Sequence, residues 1–220
     1  MKKYYKVEYI KMGILNELAI KYNTDKKEAD HFYTKMYELL LEPRKEDIKK
    51  LLEVGFGEGG SVKMWQEYFP NAEVHCIEYC DTEFKDQWKS PSLDVPNLKV
   101  TVGDSTLDET WVNLPKDFDV IVDDGSHHPD DQIATFRHGF QRVKSGGLYF
   151  IEDTHCNFED KYTKGEDIIY PWVFDMVMKQ QTPGANWGGD FYKARPSIEG
   201  IAQNIYAYYF FKSVICFQKA

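Results

Sequence analysis

Three observations predict a doubly wound α/β domain, a parallel sheet with helices on both faces. Short apolar runs that end in acids alternate with helical segments along most of the chain. The first of these runs is followed by a glycine-rich turn and a helix. The last two runs are rich in β-forming residues and are separated only by Lys212-Ser213, the spacing of a closing hairpin. With 220 residues, 42% hydrophobic and 15% aromatic, the chain can bury a sizeable core as one domain. Residues 1–49 read as a helical cap and residues 50–220 as the sheet-containing core, with a rim insertion near 154–196.

In the cap, Ile10, Ile14, Leu15, Leu18 and Ala19 recur at helical spacing, as do Met36, Leu39 and Leu40. The polar stretch Tyr22–Lys26, then His31-Phe-Tyr33, interrupts them. Either the cap only packs, or Thr24, Asp25, Lys26, His31 or Tyr33 closes over a ligand. The first strand ends at Glu53-Val54. Gly55, Gly57, Gly59 and Gly60 follow, and Ser61 to Phe69 reads as a helix with Val62, Trp65 and Phe69 inward. Strand, glycine turn and helix together cradle a nucleotide, because glycines let the ligand approach the backbone and the helix N-terminus offers free N–H groups. A second strand, Glu73 to Tyr79, supplies Glu78 about 20 residues after Gly57, the spacing of an acid that accepts from ribose hydroxyls. After a loop with Pro91 and Pro96, a third strand runs from Leu98 to Asp104-Ser105, residues suited to an adenine edge.

The fourth strand, Lys116 to Asp123, opens the most informative stretch, Val-Ile-Val-Asp-Asp-Gly-Ser-His-His over 120–128. A helix from Asp130 to Val143 follows, with Ile133, Phe136, Phe140 and Val143 on one face, and Gly146-Gly147 stops it. Leu148 to Ile151 is the fifth strand and ends in Glu152-Asp153. Side by side, the two strand ends would gather Asp123, Asp124, His127, Glu152 and Asp153 at the rim of the sheet, where open α/β folds bind ligands. Sequence leaves open which of His127 and His128 faces that cleft, and whether Asp123 binds cofactor or orients the turn. Beyond Thr154 regularity weakens to one helix around Trp172 to Met178. His155 and, further on, Trp187, Tyr192, Lys193 and Arg195 are either acceptor contacts or ordinary rim residues. Ile201–Phe211 and Val214–Phe217 form the hairpin.

Charge and cysteine usage narrow the function classes. A net charge of −9 argues against nucleic-acid and anionic-membrane partners. No apolar run matches a signal peptide or a bilayer span, so a cytoplasmic location is expected. Cys76, Cys80, Cys156 and Cys216 lack a second pair at zinc-finger spacing and read as reduced thiols.

Glu53-Val-Gly-Phe-Gly57, Glu78, Gly103-Asp104, Asp123-Asp-Gly-Ser-His127 and Ile151-Glu-Asp-Thr154 resemble class I S-adenosylmethionine-dependent methyltransferases. More narrowly, they resemble the metal-dependent branch that methylates sugar hydroxyls of macrolides and other glycosylated metabolites, with cephalosporin hydroxylase-like relatives. Tyr22-x-Thr-Asp-Lys26, His31-x-Tyr33, Trp65 and Phe69-Pro-Asn-Ala72 share that likeness, which runs from about Tyr22 to Lys219. The resemblance implies a Rossmann-like seven-stranded sheet whose last strand is antiparallel. It implies S-adenosylmethionine held by Glu53, Gly55, Phe56, Gly57 and Ser61, with Glu78, Tyr79, Asp104, Ser105 and Asp123 completing the donor wall. It implies a divalent ion, magnesium or manganese, on Asp124, Glu152 and Asp153, with Asp124 and His127 catalytic and His127 the base. The implied partner is a glycosidic small molecule, with self-association also allowed. Other small acceptors and a non-catalytic cofactor-binding subunit are the alternatives.

The chemistry agrees with the likeness. Clustered carboxylates repel unless a cation holds them or some stay protonated, and hard oxygen donors suit magnesium, manganese or calcium better than zinc. A nicotinamide-dependent dehydrogenase would also use the glycine turn and Glu78. It leaves both acidic strand ends unexplained, and its Tyr208-x-x-x-Lys212 pair falls in a strand-like run.

Overall fold

A computed structural model describes residues 13–79, 95–163, 168–181 and 199–220. Ile10, Cys80, Pro91 and the rim residues Trp187, Tyr192, Lys193 and Arg195 lie outside the described residues. The seven strands are β1 (Lys50–Val54), β2 (Glu73–Glu78), β3 (Lys99–Val102), β4 (Phe118–Asp123), β5 (Val143–Ile151), β6 (Ile205–Phe211) and β7 (Val214–Lys219). They form one sheet in the order β3-β2-β1-β4-β5-β7-β6. β1 to β5 pair in parallel, and β7 runs antiparallel to both β5 and β6. The expected doubly wound sheet with an antiparallel last strand is the observed one.

Every residue of β4 is buried, because helices cover both faces of the sheet centre. Alternate strand residues divide between the two faces. Leu51, Val120, Val122, Leu148 and Phe150 point to one side, where they meet α1 (Ile14–Lys21), α2 (Tyr33–Leu41) and α3 (Gly60–Tyr68) through Leu15, Tyr37 and Trp65. Leu52, Ile121, Tyr149 and Ile151 point to the other. There they meet Phe136 and Val173 from α5 (Pro129–Gly139) and α7 (Ile169–Gln181). Single-turn helices α4 (Asp108–Trp111) and α6 (Asp160–Thr163) and the short α8 (Glu199–Gln203) lie in the connections. Among the described residues no helix is long and apolar enough to cross a membrane. Cys76, Cys156 and Cys216 are free thiols.

Four details depart from the sequence reading. The cap helices bury Tyr33, Met36, Tyr37 and Leu41, while Ile14 and Leu39 face solvent. The helix before β5 ends at Gly139, followed by a 3-10 turn over Phe140–Arg142, and Val143 already belongs to the strand. Gly146-Gly147 therefore sit inside β5, where the β4–β5 register shifts and Gly146 takes φ 77, a bulge that glycine permits. Ile201 falls in α8, so β6 begins only at Ile205.

Candidate active site

The register of the central strands sets the site. Val54, Asp123 and Ile151 are level across β1, β4 and β5. The ladder runs one residue further: Asp124 N–H donates to Val54 C=O at 3.0 Å and Glu152 N–H to Asp123 C=O at 2.9 Å. The acids just beyond the two strands therefore emerge side by side at the C-terminal edge of the sheet. Two of the residues that follow adopt left-handed backbone, His127 at φ 62 and Asp153 at φ 54. Non-glycine residues held there cost of order 1 kcal/mol or more, and such strain gathers at functional sites.

Asp153 is the focus of the cluster. Tyr33 Oη–H donates to its Oδ1 at 2.5 Å, and His31 Nδ1 and His155 Nδ1 lie 3.3 and 3.7 Å from the same oxygen. His127 Nε2 lies 3.6 Å from Oδ2. His128 turns away, its Nδ1 2.6 Å from the Tyr162 carbonyl oxygen. Of the adjacent pair it is thus His127 that faces the acids. The loop is pinned from below: Gln132 Nε2 donates to Glu152 C=O at 3.0 Å and Asn157 Nδ2 to Gln132 Oε1 at 3.1 Å. The sequence reading overlooked both amides, which carry no motif.

Glu152 is placed differently from the expected metal trio. Its carboxylate is 1% exposed, and both oxygens are already engaged, one by Lys26 Nζ and the other by Tyr37 Oη. Among the described residues, ligand atoms of Asp124, His127 and Asp153 come within 4.8 Å of one another. Burial pushes Glu152 well above the ordinary carboxylate range, against the pull of the Lys26 ammonium. Lys26 Nζ also lies 2.6 Å from Asp124 Oδ2 and 3.5 Å from Glu53 Oε1. Burial alone would lower the Lys26 pKa, but Asp124, Glu152 and Glu53 together hold it well above its usual value. The polar interruption in the cap therefore closes over the site. Tyr37, one helical turn after Tyr33 on the buried face of α2, was not anticipated.

The other wall is the turn after β1. Gly55 takes φ 93, and a Cβ there would stand 2.1 Å from the Asp124 carbonyl oxygen, so the two loops can approach only at a glycine. At Gly57, φ 51, a Cβ would meet nothing within 4 Å, so this part of the turn borders open space. Glu78, at the end of β2, accepts from Phe56 N–H at 2.6 Å, and burial raises its pKa. Phe56 itself packs inward against Val62, Cys76 and Val95. Glu53 is fully buried. It accepts from Ser61 Oγ–H at 2.8 Å, and burial pushes its pKa up to about 7 despite Lys26. Glu53 and Ser61 thus brace the turn from beneath. Asp123 is likewise turned inward, 2% exposed with Tyr149 Oη 3.3 Å away, its pKa pushed up by burial to about 8. Tyr79 is 59% exposed beyond the end of β2. Asp104 Oδ1 caps its own turn by accepting from Thr106 N–H, and Ser105 Oγ bonds Thr135 Oγ1 at 2.8 Å.

The fold as a whole finds its counterpart in solved structures. MycE methyltransferase from the mycinamycin biosynthetic pathway, solved in complex with Mg and SAH, superposes with a TM-score of 0.76 at 22% identity, over 94% of this chain and 53% of that one. The fold is that of the class I methyltransferases. A caffeoyl-CoA O-methyltransferase-like protein from Staphylococcus aureus matches this methyltransferase fold at TM-score 0.54 and 13% identity, over 94% and 92% of the two chains. Among curated sequences, L-olivosyl-oleandolide 3-O-methyltransferase of Streptomyces antibioticus is 30% identical over 155 residues, 67% of this chain and 39% of the relative. A tetracenomycin rhamnosyl 3'-O-methyltransferase of Streptomyces olivaceus is 30% identical over 148 residues, 64% of this chain and 37% of the relative. The chain thus spans about two-fifths of the length of these relatives. No protein-family model matches it.

Proposed function

We propose that the chain is an S-adenosylmethionine-dependent, divalent-metal-dependent O-methyltransferase. Its acceptor is a hydroxyl of a sugar or of a glycosylated small molecule. The observation that carries the reading is the meeting of two walls at the strand edge. The open glycine turn with Glu78 stands on one side, and Asp124, His127 and Asp153 stand on the other. The relatives' names, O-methyltransferases of a rhamnosyl-tetracenomycin, of L-olivosyl-oleandolide and of mycinamicin VI, support the acceptor class.

Both implied groups fit the residues present. At Gly57 the turn leaves room for a ligand against the backbone, and Glu78 presents a carboxylate for ribose hydroxyls. Asp124 and Asp153 offer hard oxygen donors close enough to share one cation, whose charge would offset their repulsion. A divalent ion held there would make a nearby acceptor hydroxyl more acidic, and S-adenosylmethionine would supply the methyl group. His127, as a neutral imidazole, takes the hydroxyl proton, and Asp153 stabilises the imidazolium that results. His31, Tyr33 and His155 hold the far oxygen of Asp153 and so fix its orientation. Bringing donor and acceptor together between the two walls supplies much of the acceleration.

The test is transfer of labelled methyl from S-adenosylmethionine to a panel of nucleotide sugars and glycosides, with magnesium and with chelator. Metal-dependent product is expected. His127→Ala should lose turnover while still binding manganese, and Asp124→Ala should lose both. Full turnover in chelator overturns the metal role. Calorimetric binding of NAD but not of S-adenosylmethionine overturns the donor assignment.

A further inference from the structure

Past Asp153 the chain gathers a second set of donors, two of which the proposed reaction leaves idle. The 3-10 turn over Thr154–Phe158 brings His155, Cys156 and Glu159 together, with ligand atoms of all three within 4.8 Å of one another. His155 Nε2 lies 3.8 Å from Cys156 Sγ. A sulfur at about 2.3 Å and a nitrogen at about 2.0 Å from one tetrahedral ion stand about 3.5 Å apart, so this pair is nearly at ligand spacing. The turn is held before any ion arrives. Cys156 N–H donates to Asp153 C=O at 2.9 Å and Glu159 N–H to Cys156 C=O at 3.0 Å. Asn157 pins its middle, donating to Gln132 Oε1 at 3.1 Å and accepting from Ile169 N–H at 2.8 Å. His155 and Glu159 are about half exposed, so an ion enters from solvent. Cys156 lies beneath them, and burial raises its thiol pKa, which makes it a poor nucleophile. A bound cation displaces that proton outright.

The donor chemistry differs from that of the acid cluster. Thiolate and imidazole select zinc over magnesium or manganese, and one carboxylate completes three protein ligands with a fourth position left for water. Orientation supplies a second argument. Zinc-bound histidines donate their other ring N–H to a carboxylate, which fixes tautomer and ring. His155 already stands that way, with Nε2 toward Cys156 and Nδ1 3.7 Å from Asp153 Oδ1.

We propose that His155, Cys156 and Glu159 form a zinc site, separate from the acid cluster and joined to it through the His155 imidazole. The site itself stands without the methyltransferase reading; the link to Asp153 rests on that reading. Zinc on Nε2 leaves Nδ1 as a fixed donor to Asp153 Oδ1 and sets a second positive charge behind it. Both effects draw on a carboxylate that the magnesium-type ion needs, so zinc weakens the binding of that ion and inhibits transfer. Lys161 Nζ, 3.1 Å from Glu159 Oε2, is 64% exposed, and an ion pair of that kind yields at little cost.

Cadmium, whose thiolate complexes absorb in the ultraviolet, is the probe. The full chain should develop a thiolate-to-cadmium band that saturates at one equivalent and is competed away by zinc but not by magnesium. Cys156→Ala should abolish the band. Glu159→Gln, at a half-exposed position, should fold and bind cadmium about 10-fold or more weakly. Cys80→Ala is the control thiol, since Cys76 and Cys216 are buried in the sheet. No band in wild type, or a band that survives in Cys156→Ala and is lost in Cys80→Ala, overturns the site. If Cys156→Ala does not fold, Glu159→Gln decides, and wild-type cadmium affinity in that variant overturns the site. Manganese titration read by electron paramagnetic resonance tests the link. Zinc should raise the dissociation constant for manganese severalfold more in wild type than in Cys156→Ala. Equal shifts mean that zinc only competes at the acids, and they overturn the link. No manganese binding by either protein overturns the metal reading and the link with it, while the cadmium band judges the zinc site by itself.

Discussion

Two glycines of the same turn should respond to alanine in opposite ways. At Gly55 the new methyl would lie 2.1 Å from the Asp124 carbonyl oxygen and 2.9 Å from its carbon, both backbone atoms, at φ 93. The β1 and β4 loops must separate by about 1 Å to admit it, and overpacking of that kind costs roughly 1–3 kcal/mol, with left-handed strain of about 1–2 kcal/mol added. At Gly57, φ 51 carries only the strain, because nothing lies within 4 Å. For a domain of this size 1 kcal/mol moves the melting temperature by about 2–4 °C. Gly55→Ala should therefore lose on the order of 10 °C, and Gly57→Ala roughly 2–8 °C. Binding should follow the reverse logic. Gly57→Ala places a methyl where the donor's backbone approach is read to be, so calorimetric affinity for S-adenosylhomocysteine should fall at least tenfold in a folded protein. Equal losses of stability at the two positions would refute the packing argument. Undiminished affinity in Gly57→Ala would refute the placement of the donor.

Two further predictions concern the buried acids. Tyr37→Phe leaves the inner oxygen of Glu152 without its hydroxyl, at a cost of about 1–3 kcal/mol for a buried acceptor left unpaired, or roughly 2–12 °C by calorimetry. Tyr68→Phe, whose partner Glu42 is 54% exposed, should shift the melting temperature far less, and equal shifts would contradict the role of burial. Glu53 has an ordinary pKa of 4.5 when unfolded and about 7 when folded, so between those values the native state keeps a proton that the unfolded chain releases. Its contribution is complete below about 4.5 and is lost as pH rises through 7. In chelator, the melting temperature of wild type should fall from pH 5 to pH 8, and Glu53→Gln should show a shallower fall; identical slopes would remove Glu53 as the cause.

What the sequence made legible follows from what patterning encodes. The strands were readable because parallel strands buried on both faces appear as unbroken apolar runs, and the acids beyond Val122 and Ile151 stand out against them. Strand pairing then needed only the sheet order to bring Asp124 and Glu152 together. Gly146-Gly147 misled because a glycine pair that ends a helix and one that bulges a strand look alike in sequence; only the β4–β5 register separates them.

The partition of the acids was not readable at all, since it depends on which buried donor reaches which oxygen across about a hundred residues of chain. Lys26, Tyr33 and Tyr37 come from the cap and meet Glu152 and Asp153 from the far end of β5. Motif spacing treats Glu152-Asp153 as one pair, yet adjacent residues beyond a strand point to different sides. One carboxylate goes inward to Lys26 and Tyr37, and the other goes outward to three imidazoles. The cap is therefore part of the centre's charge balance as well as its cover. A site built across it needs α1 and α2 docked on the sheet before Asp124 and Glu152 can stand together without repulsion.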